Sequence, residues 1–303
     1  MKIHVLTYGH PDKLSHVSKF DLGLLQEAAK KQGHKVEMVF ARDCQLVFDK
    51  KPKVLVNNKF PKNIKVLLVR ANCLKNLEFR TALIKQFQLS GVNVINDHIS
   101  VLRAKNKLRT MQVLGKYKVP TPKTFMVVSS DAIEDLISNI EKFPVIIKTT
   151  TGSHGSGVSI VESERGLRTI APILMNNEDV EPIMVQEYVK ESKGKDIRVF
   201  IVGNRIVAAM ERIATKRGEF RSNFHLGGRV RVAEMSRKEK DVAFAAARAV
   251  GLDIAGVDII RTSSGPKVLE VNANPGLEGI TQATGRDVAG EMIKYAVESV
   301  KKK

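Results

Sequence analysis

The chain has 303 residues and a formal net charge of +18, from 50 lysine and arginine residues against 32 acidic ones. At about 100–200 residues per domain, this length predicts two or three domains. The hydrophobic fraction of 43% is sufficient for sizeable cores and excludes a largely disordered chain. No uninterrupted apolar run approaches the roughly 18 residues of a membrane span, so no membrane partner is expected.

Cysteine usage and charge indicate the compartment and the partner. Cys44 and Cys73 have no CxxC spacing and favour a reducing, cytoplasmic location, although a disulfide between them stays open. The positive charge would attract nucleic acid, an anionic membrane surface or an acidic substrate. Aromatic residues make up only 5% of the chain, and no basic segment carries interleaved aromatic residues on which single-stranded bases would stack. Single-stranded nucleic acid is therefore disfavoured as a partner.

Short apolar strands alternate with amphipathic helical segments, which predicts an α/β protein. The apolar stretch after Met1 is too short for a signal peptide and predicts a buried first strand. The pattern of residues 1–95 predicts a small parallel-sheet domain. It changes near residue 96 and again near residue 191. Predicted strands are 3–8, 36–41, 66–70, 92–95, 124–128, 145–149, 197–202, 205–211, 255–260 and 267–271; predicted helices are 15–31, 77–89, 99–102, 104–114, 131–141, 237–250 and 288–300.

A glycine-rich segment at 148–157 follows an apolar strand that ends near Lys148. Its glycines would let backbone N–H groups converge on an anion, and the lysine would add a positive charge beside phosphates. The spacing matches neither a Walker A motif nor a dinucleotide fingerprint, so a glycine-rich hairpin is an equal alternative. A second strand ends at Gln186, Glu187 and Tyr188. Its backbone suits an adenine edge, although a strand that simply ends at the surface is favoured for this segment alone.

Two carboxylates and an amide occur on two apolar strands near the C-terminus. Asp258 lies within 255–260, and Glu270 and Asn272 alternate on the following strand, so the last two face the same side. If the strands pair, the three side chains form a hard-oxygen site of the kind that binds Mg²⁺. The alternative is a salt bridge from Asp258 to a basic residue, because an acid in an apolar strand is unlikely to be tolerated unpaired.

Arginines and a Gly-Gly turn form the last constellation. Arg212, and Arg221 in the segment 221–228, suit a transferring phosphoryl group because guanidinium binds phosphate bidentately. A solvated basic loop is the favoured alternative for this segment alone. His225 in the same segment suits a general acid or base, but a lone histidine is more often structural.

These segments, in this order, resemble the motifs of the ATP-grasp superfamily. The Arg-Ser-Asn segment followed by Gly227-Gly228 is most similar to the RimK branch. The named member of that branch adds glutamates to the C-terminus of a ribosomal protein. The resemblance rests on Lys107, Lys148, the run Gln186-Glu187-Tyr188, the run Arg221-Ser222-Asn223, and Asp258 with Glu270 and Asn272.

The resemblance implies an α/β (α+β) ATP-grasp fold with an N-terminal parallel-sheet pre-ATP-grasp domain at 1–95, a central subdomain at 96–190 and a C-terminal subdomain at 191–303. It implies an ADP-forming carboxylate–amine ligase that uses ATP and two Mg²⁺ or Mn²⁺ ions. The expected substrates are L-glutamate, or another amino acid, and an acidic protein or small-molecule carboxylate acceptor. A homo-oligomer is compatible with this class. ATP is expected between the second and third domains.

The resemblance also implies roles for individual residues. Lys107 and Lys148 are expected on the ATP phosphates, and Asp258, Glu270 and Asn272 on the metal. Arg221 and Arg212 are expected to be catalytic. The further expected ATP contacts are Gly152, Ser153, Gly155, Gly157, Gln186, Glu187, Tyr188, Asp196, Arg221, Ser222 and Asn223.

Two rival interpretations stay open. Relatives that ligate glutamate to a coenzyme or to an amino-group carrier protein belong to the same class. A basic nucleic-acid-binding protein with an inactive nucleotide fold belongs to another class. The set of Asp258, Glu270 and Asn272 disfavours the second interpretation, because a pure binder would not need these groups.

Overall fold

The computed structural model describes residues 1–61, 63–70, 76–149, 158–175, 182–192, 194–215 and 228–301. Its N-terminal part contains strands β1 (Lys2–Thr7), β2 (Lys35–Phe40), β3 (Cys44–Val47), β4 (Lys53–Val56), β5 (Val66–Val69) and β6 (Asn93–Ile95), and helices α1 (His16–Lys31) and α2 (Leu77–Leu89). Four strands form a parallel sheet in the order β2-β1-β5-β6, as predicted. The antiparallel hairpin of β3 and β4 was not predicted.

The central part has helices α3 (His98–Ala104), α4 (Lys107–Lys116), α5 (Ile133–Ser138) and α6 (Glu164–Met175). Its strands are β7 (Thr124–Val127), β8 (Val145–Thr149), β9 (Val158–Val161) and β10 (Ile183–Glu187), which form an antiparallel sheet in the order β7-β10-β8-β9. Helix α4 begins three residues later than predicted, because the Asn106 side chain accepts from the Arg109 N–H and caps the helix.

Helix α5 is shorter than the predicted segment 131–141. Ser130–Ala132 forms a 3₁₀ turn before it. At the other end, the Ser138 hydroxyl and the Asn139 amide both donate to the carbonyl of Asp135. These local bonds compete with the helical ladder, so the helix ends at Ser138.

The C-terminal part contains strands β11 (Lys195–Val202), β12 (Arg205–Ile213), β13 (Arg229–Val232), β14 (Ile254–Ile260) and β15 (Lys267–Asn272), and helices α7 (Arg237–Val250), α8 (Glu278–Thr284) and α9 (Val288–Lys301). The strands form an antiparallel sheet in the order β13-β12-β11-β14-β15. Helix α7 has the predicted bounds, because Ser236 and Glu239 form a capping box and Gly251 ends the helix at φ +91°.

Three apolar clusters fill the described part of the molecule. One lies within the central sheet and its helices and includes Ile147 and Leu167. The other two are each shared between the N-terminal and C-terminal parts of the chain, so that Leu67 and Val257 belong to one cluster and Leu25 and Phe200 to the other. Within these described residues, no helix has both the length and the apolar character needed to cross a membrane.

Candidate active site

The three predicted metal ligands lie together on β14 and β15. Asp258 is the register partner of Glu270, and Gly256 is the partner of Asn272. Side chains two residues apart along a strand project from the same face, so Asp258, Glu270 and Asn272 share one face of the sheet. Asp258 is buried, Asn272 is half-buried and Glu270 is exposed. The pairing of the two strands is confirmed, and the binding of a metal by these side chains stays a prediction.

Asp258 lies between two guanidinium groups. Arg198 donates from Nε to Oδ1 and from Nη2 to Oδ2, the latter at 2.8 Å, and Arg212 Nη2 donates to the same Oδ2 at 2.7 Å. Burial alone would raise the pKa of Asp258, but the charges of Arg198 and Arg212 hold this pKa below its ordinary value. The ion pair that the sequence left as an alternative is present, and it keeps Asp258 in the carboxylate form that a metal needs.

A second carboxylate holds Arg212 in place. Arg212 and Asp196 are register partners on β12 and β11, and both are buried. Arg212 donates from Nε and Nη2 to the two oxygens of Asp196 at 2.6 and 2.7 Å. Burial would lower the pKa of Arg212, whereas Asp258 and Asp196 raise it above its ordinary value. The structure therefore places Asp196 behind Arg212, and the roles of Asp196 at the nucleotide and Arg212 in catalysis stay predictions.

Lys148 is the penultimate residue of β8 and is positioned by a glutamine. Its Nζ donates to Gln186 Oε1 at 2.8 Å, and Gln186 Nε2 donates to Thr124 Oγ1 at 2.9 Å. Burial lowers the pKa of Lys148 to about 8; Glu270 raises this pKa, Lys107 lowers it and Asp258 raises it. Gln186 is 2% exposed, so it acts in this structure as the acceptor that orients the lysine.

Glu187 connects the central sheet to the C-terminal sheet. Its Oε2 lies 3.3 Å from Nζ of Lys267, the first residue of β15. The next residue, Val268, donates its backbone N–H to the Pro120 carbonyl at 2.7 Å. Tyr188 follows Glu187 and is half-buried. The strand end predicted to meet adenosine thus lies at the junction between the two sheets.

Three further residues belong to this region, although the sequence did not point to them: Arg198, Thr124 and Lys267. Arg198 had a detectable pattern, because it alternates with Asp196 in an otherwise apolar strand. Thr124 and Lys267 showed no such pattern, because their partners come from strands distant in the sequence.

Some predicted site residues lie outside the described part of the chain. They are Gly152, Ser153, Gly155, Gly157, Arg221, Ser222, Asn223 and His225.

The donor set fits Mg²⁺ held jointly with a nucleotide. Among the described residues, no group of three or more His, Cys, Asp and Glu side chains is arranged to hold a metal. Two carboxylates and an amide suffice for Mg²⁺ only when water and phosphate oxygens complete its shell, as is usual in nucleotide sites. Asp258 accepts three hydrogen bonds from the arginines, and a carboxylate has about four acceptor positions, so one remains for a metal.

Comparison with known families decides the assignment. A family model described as the RimK-like ATP-grasp domain matches residues 104–296, and one described as the RimK PreATP-grasp domain matches residues 1–101. The chain belongs to the RimK-like ATP-grasp family. It is an ATP-dependent, ADP-forming carboxylate–amine ligase.

Curated relatives of this RimK-like ligase match most of its length. A probable alpha-L-glutamate ligase of Vibrio vulnificus (strain YJ016) is 36% identical over 278 residues, which cover 91% of each chain. A protein of the same name from Enterobacter sp. (strain 638) is 38% identical over 272 residues, 89% of each chain. A probable alpha-L-glutamate ligase 2 of Hahella chejuensis is 38% identical over 294 residues, 95% of each chain.

Solved structures share the fold of the RimK-like ligase at lower identity. A RimK domain protein of Sphaerobacter thermophilus has a TM-score of 0.70 at 19% identity, covering 97% of this chain and 99% of that one. The D-cycloserine synthetase DcsG has a TM-score of 0.73 at 19% identity, covering 98% and 99%. The ATP-grasp ligase PsnB, complexed with a minimal precursor, Mg and ADP, has a TM-score of 0.71 at 16% identity, covering 98% and 97%.

Proposed function

We propose that this ligase adds L-glutamate to the C-terminal carboxylate of an acidic acceptor, such as a ribosomal protein. The observation that carries the chemistry is the pairing of Asp258 with Glu270 across β14 and β15, with Asn272 on the same face. The choice of glutamate rests on the names of relatives that are 36% to 38% identical over about nine-tenths of the chain. The choice of a peptide acceptor is supported by fold neighbours solved with precursor peptides.

The side chains divide into three groups by role. Asp258, Glu270 and Asn272 would hold Mg²⁺ or Mn²⁺, as one or two ions. Lys107 and Lys148 would place positive charge beside the ATP phosphates, as compact ammonium groups do. Gln186, Glu187 and Tyr188 would lie around the adenosine, and Asp196 would be a further nucleotide contact beside Arg212. The predicted ATP contacts outside the described ranges belong to the same proposal.

Metal-bound ATP supplies an activated phosphoryl group when it is present. The acceptor carboxylate attacks the γ-phosphorus, and ADP leaves as an acyl phosphate forms. Arg221 and Arg212 would stabilise the charge on the transferred group. The amine of glutamate then attacks the acyl carbon, phosphate leaves, and the amine loses its proton as the amide forms. No protein nucleophile is needed for either step.

The overall charge supports an anionic acceptor. A formal charge of +18 would steer an acidic chain towards the enzyme, and each added glutamate replaces one terminal carboxylate with two. A coenzyme or an amino-group carrier protein is the second candidate acceptor class, because either can carry the same negative charge. A cytoplasmic location is part of this proposal. Membership of the ligase family disfavours the interpretation as a nucleic-acid-binding protein with an inactive nucleotide fold.

Mass spectrometry of candidate acceptors after incubation with enzyme, Mg-ATP and glutamate tests the proposal. Two acidic peptides of identical sequence should be compared, one with a free C-terminus and one amidated. We expect glutamyl additions on the free peptide only, and none with the Asn272→Ala enzyme. Addition of a different amino acid, or equal modification of the amidated peptide, would contradict the proposed substrates.

A further inference from the structure

Three buried side chains from the first hundred residues bind the backbone of segment 273–277, which directly follows β15. The bonds fall on alternate residues of the segment. Asn96 Nδ2 donates to the Ala273 carbonyl at 3.0 Å, Arg70 Nη2 donates to the Pro275 carbonyl at 2.9 Å, and Asp21 Oδ1 accepts from the Leu277 N–H at 3.0 Å. We call Asp21, Arg70 and Asn96 the clamp.

Asn96 joins the ends of the two strands that carry the candidate metal ligands. Besides its bond to Ala273, its Nδ2 donates to the Ile254 carbonyl at 2.8 Å. Its Oδ1 accepts from the N–H groups of Asp253 and Ile254 at 2.9 and 2.8 Å. This buried amide therefore makes four bonds, the first residue of β14 contributing two of them. A shift of β15 relative to β14 would break this set.

Arg70 and Asp21 form a buried ion pair that the free energy of unfolding alone does not require. Arg70 Nη2 donates to Asp21 Oδ2 at 2.5 Å, and both side chains are below 10% exposed. Arg70 Nη1 is buried without a hydrogen-bond partner, which costs free energy. Apolar residues of similar volume often replace such a pair without loss of stability. The contribution that apolar residues could not reproduce is the pair of bonds to Pro275 and Leu277.

We propose that the clamp fixes Glu270 and Asn272 in the geometry that a bound Mg²⁺ requires, an inference that rests on the proposed function. Asn272 lies one residue before Ala273, the first residue held by the clamp. Pro275 also packs against Gly256, the register partner of Asn272. Mg²⁺ accepts little departure from octahedral geometry, so a small displacement of Asn272 weakens binding. Mutation of a group that orients a metal ligand typically weakens metal binding by about 10–100-fold.

The decisive variant replaces the ion pair with apolar groups, as Asp21→Leu with Arg70→Met. It should fold with a free energy of unfolding close to that of the wild type, while losing both bonds to the segment. Asn96→Asp removes the amide donor to Ala273 and Ile254, keeps an oxygen that can accept from Asp253 and Ile254, and tests the third member of the clamp. Gln32→Ala and Asn93→Ala are matched controls, because these side chains also cross from the N-terminal part, to Gly290 and Ser299 of α9, but do not touch the segment.

Mn²⁺ binding, measured by electron paramagnetic resonance with a non-hydrolysable ATP analogue, gives a readout independent of turnover. Urea unfolding of each variant gives its stability. We expect about tenfold weaker Mn²⁺ binding in the Asp21→Leu/Arg70→Met and Asn96→Asp variants. The Gln32→Ala and Asn93→Ala variants should bind Mn²⁺ as the wild type does, whatever stability they lose.

Wild-type Mn²⁺ affinity in the folded double variant overturns the clamp, and so does an equal loss of affinity in the two controls. Asn272→Ala separates this failure from failure of the proposed site. If Asn272→Ala loses Mn²⁺ while the double variant keeps it, the metal site stands and only the clamp is wrong. If Asn272→Ala binds Mn²⁺ normally, both the site and the clamp are wrong.

Discussion

Arg198 and Asp258 face each other across β11 and β14, and the Arg198 guanidinium donates to both carboxylate oxygens. Arg168 and Glu134 make the same two-bond contact elsewhere, at 2.8 and 2.9 Å. The side chains of the first pair are 13% and 6% exposed, and those of the second are 46% and 66% exposed. The two pairs share a geometry but differ in screening by water.

We expect this difference in burial to appear in double-mutant cycles. Alanine substitutions at Arg198 and Asp258 should show a coupling energy of about 2 kcal/mol. The same cycle at Arg168 and Glu134 should give less than about 1 kcal/mol, because exposed pairs are screened. Urea unfolding measures both cycles, and equal coupling energies would show that burial does not strengthen the Arg198–Asp258 pair.

Glu270→Gln should lower the ligation rate at least about a hundredfold, because it removes one of two charges that face the metal and the phosphates. Glu270 is exposed, so the free energy of unfolding should hardly change. ADP release in a coupled assay measures the rate. Glu278→Gln, in α8, is the matched control and should turn over normally. Normal turnover by Glu270→Gln would remove this residue from the metal site.

The pKa of about 8 at Lys148 predicts a pH dependence of ATP binding. The ammonium form, which binds phosphate, predominates below this pKa and is lost as the pH rises through it. Bound phosphates favour the charged form and raise the pKa. ATP affinity should therefore fall above about pH 8, and binding in that range should take up a proton. Calorimetry in two buffers of different ionisation enthalpy measures the uptake.

Lys148→Arg is the control for this pH dependence. A guanidinium stays charged throughout the range, so the inflection near pH 8 and the proton uptake should both disappear, even if the affinity itself changes. Persistence of the inflection in Lys148→Arg would assign the titration to another group.

Gly256→Ala should disturb β14 and β15, the strands that carry the candidate metal ligands. A Cβ at this position would lie 2.7 Å from Pro275 Cβ and 3.1 Å from Arg198 Cδ. We expect a loss of about 1–3 kcal/mol in the free energy of unfolding, together with slower ligation. Gly23→Ala in α1 meets no atom within 4 Å and should raise the stability, because alanine favours a helix more than glycine does. Urea unfolding measures both variants. An unchanged free energy of unfolding in Gly256→Ala would show that Pro275 can shift to make room for the added methyl group.

The sequence predicted the long periodic elements well and missed those whose form depends on distant partners. α2 and α7 have their predicted bounds. β13 was missed because its alternation of Arg229, Val230 and Arg231 is short and mostly exposed at a sheet edge. α8 was missed because Gly279 lowers its helix propensity and no side chain caps its start. The β3–β4 hairpin was missed because its short strands are only partly buried, with Val54 the one fully buried residue of the two, so their apolar pattern is weak.

The alternation of side chains along a strand predicted that Glu270 and Asn272 share one face. The assumption that the two strands pair added Asp258 to this set. The sequence did not reveal that Asp258 is shared by Arg198 and Arg212, because the register of three strands decides that contact. Nor did it reveal that Gln186 orients Lys148, because the residues are 38 positions apart. In each case the missing information was a pairing between distant strands.

The shared cores limit how this ligase can be recombined with its relatives. Leu67 and Phe87 from the first hundred residues lie in one apolar cluster with Val257 from the C-terminal sheet. An isolated ATP-grasp half would expose its side of that cluster to water and would tend to aggregate. A chimaera that takes its N-terminal portion from another family member must therefore have apolar residues there that are complementary to those of the C-terminal sheet. The first hundred residues thus depend on the C-terminal sheet for part of their core, and an exchange should keep the residues on both sides of this cluster together.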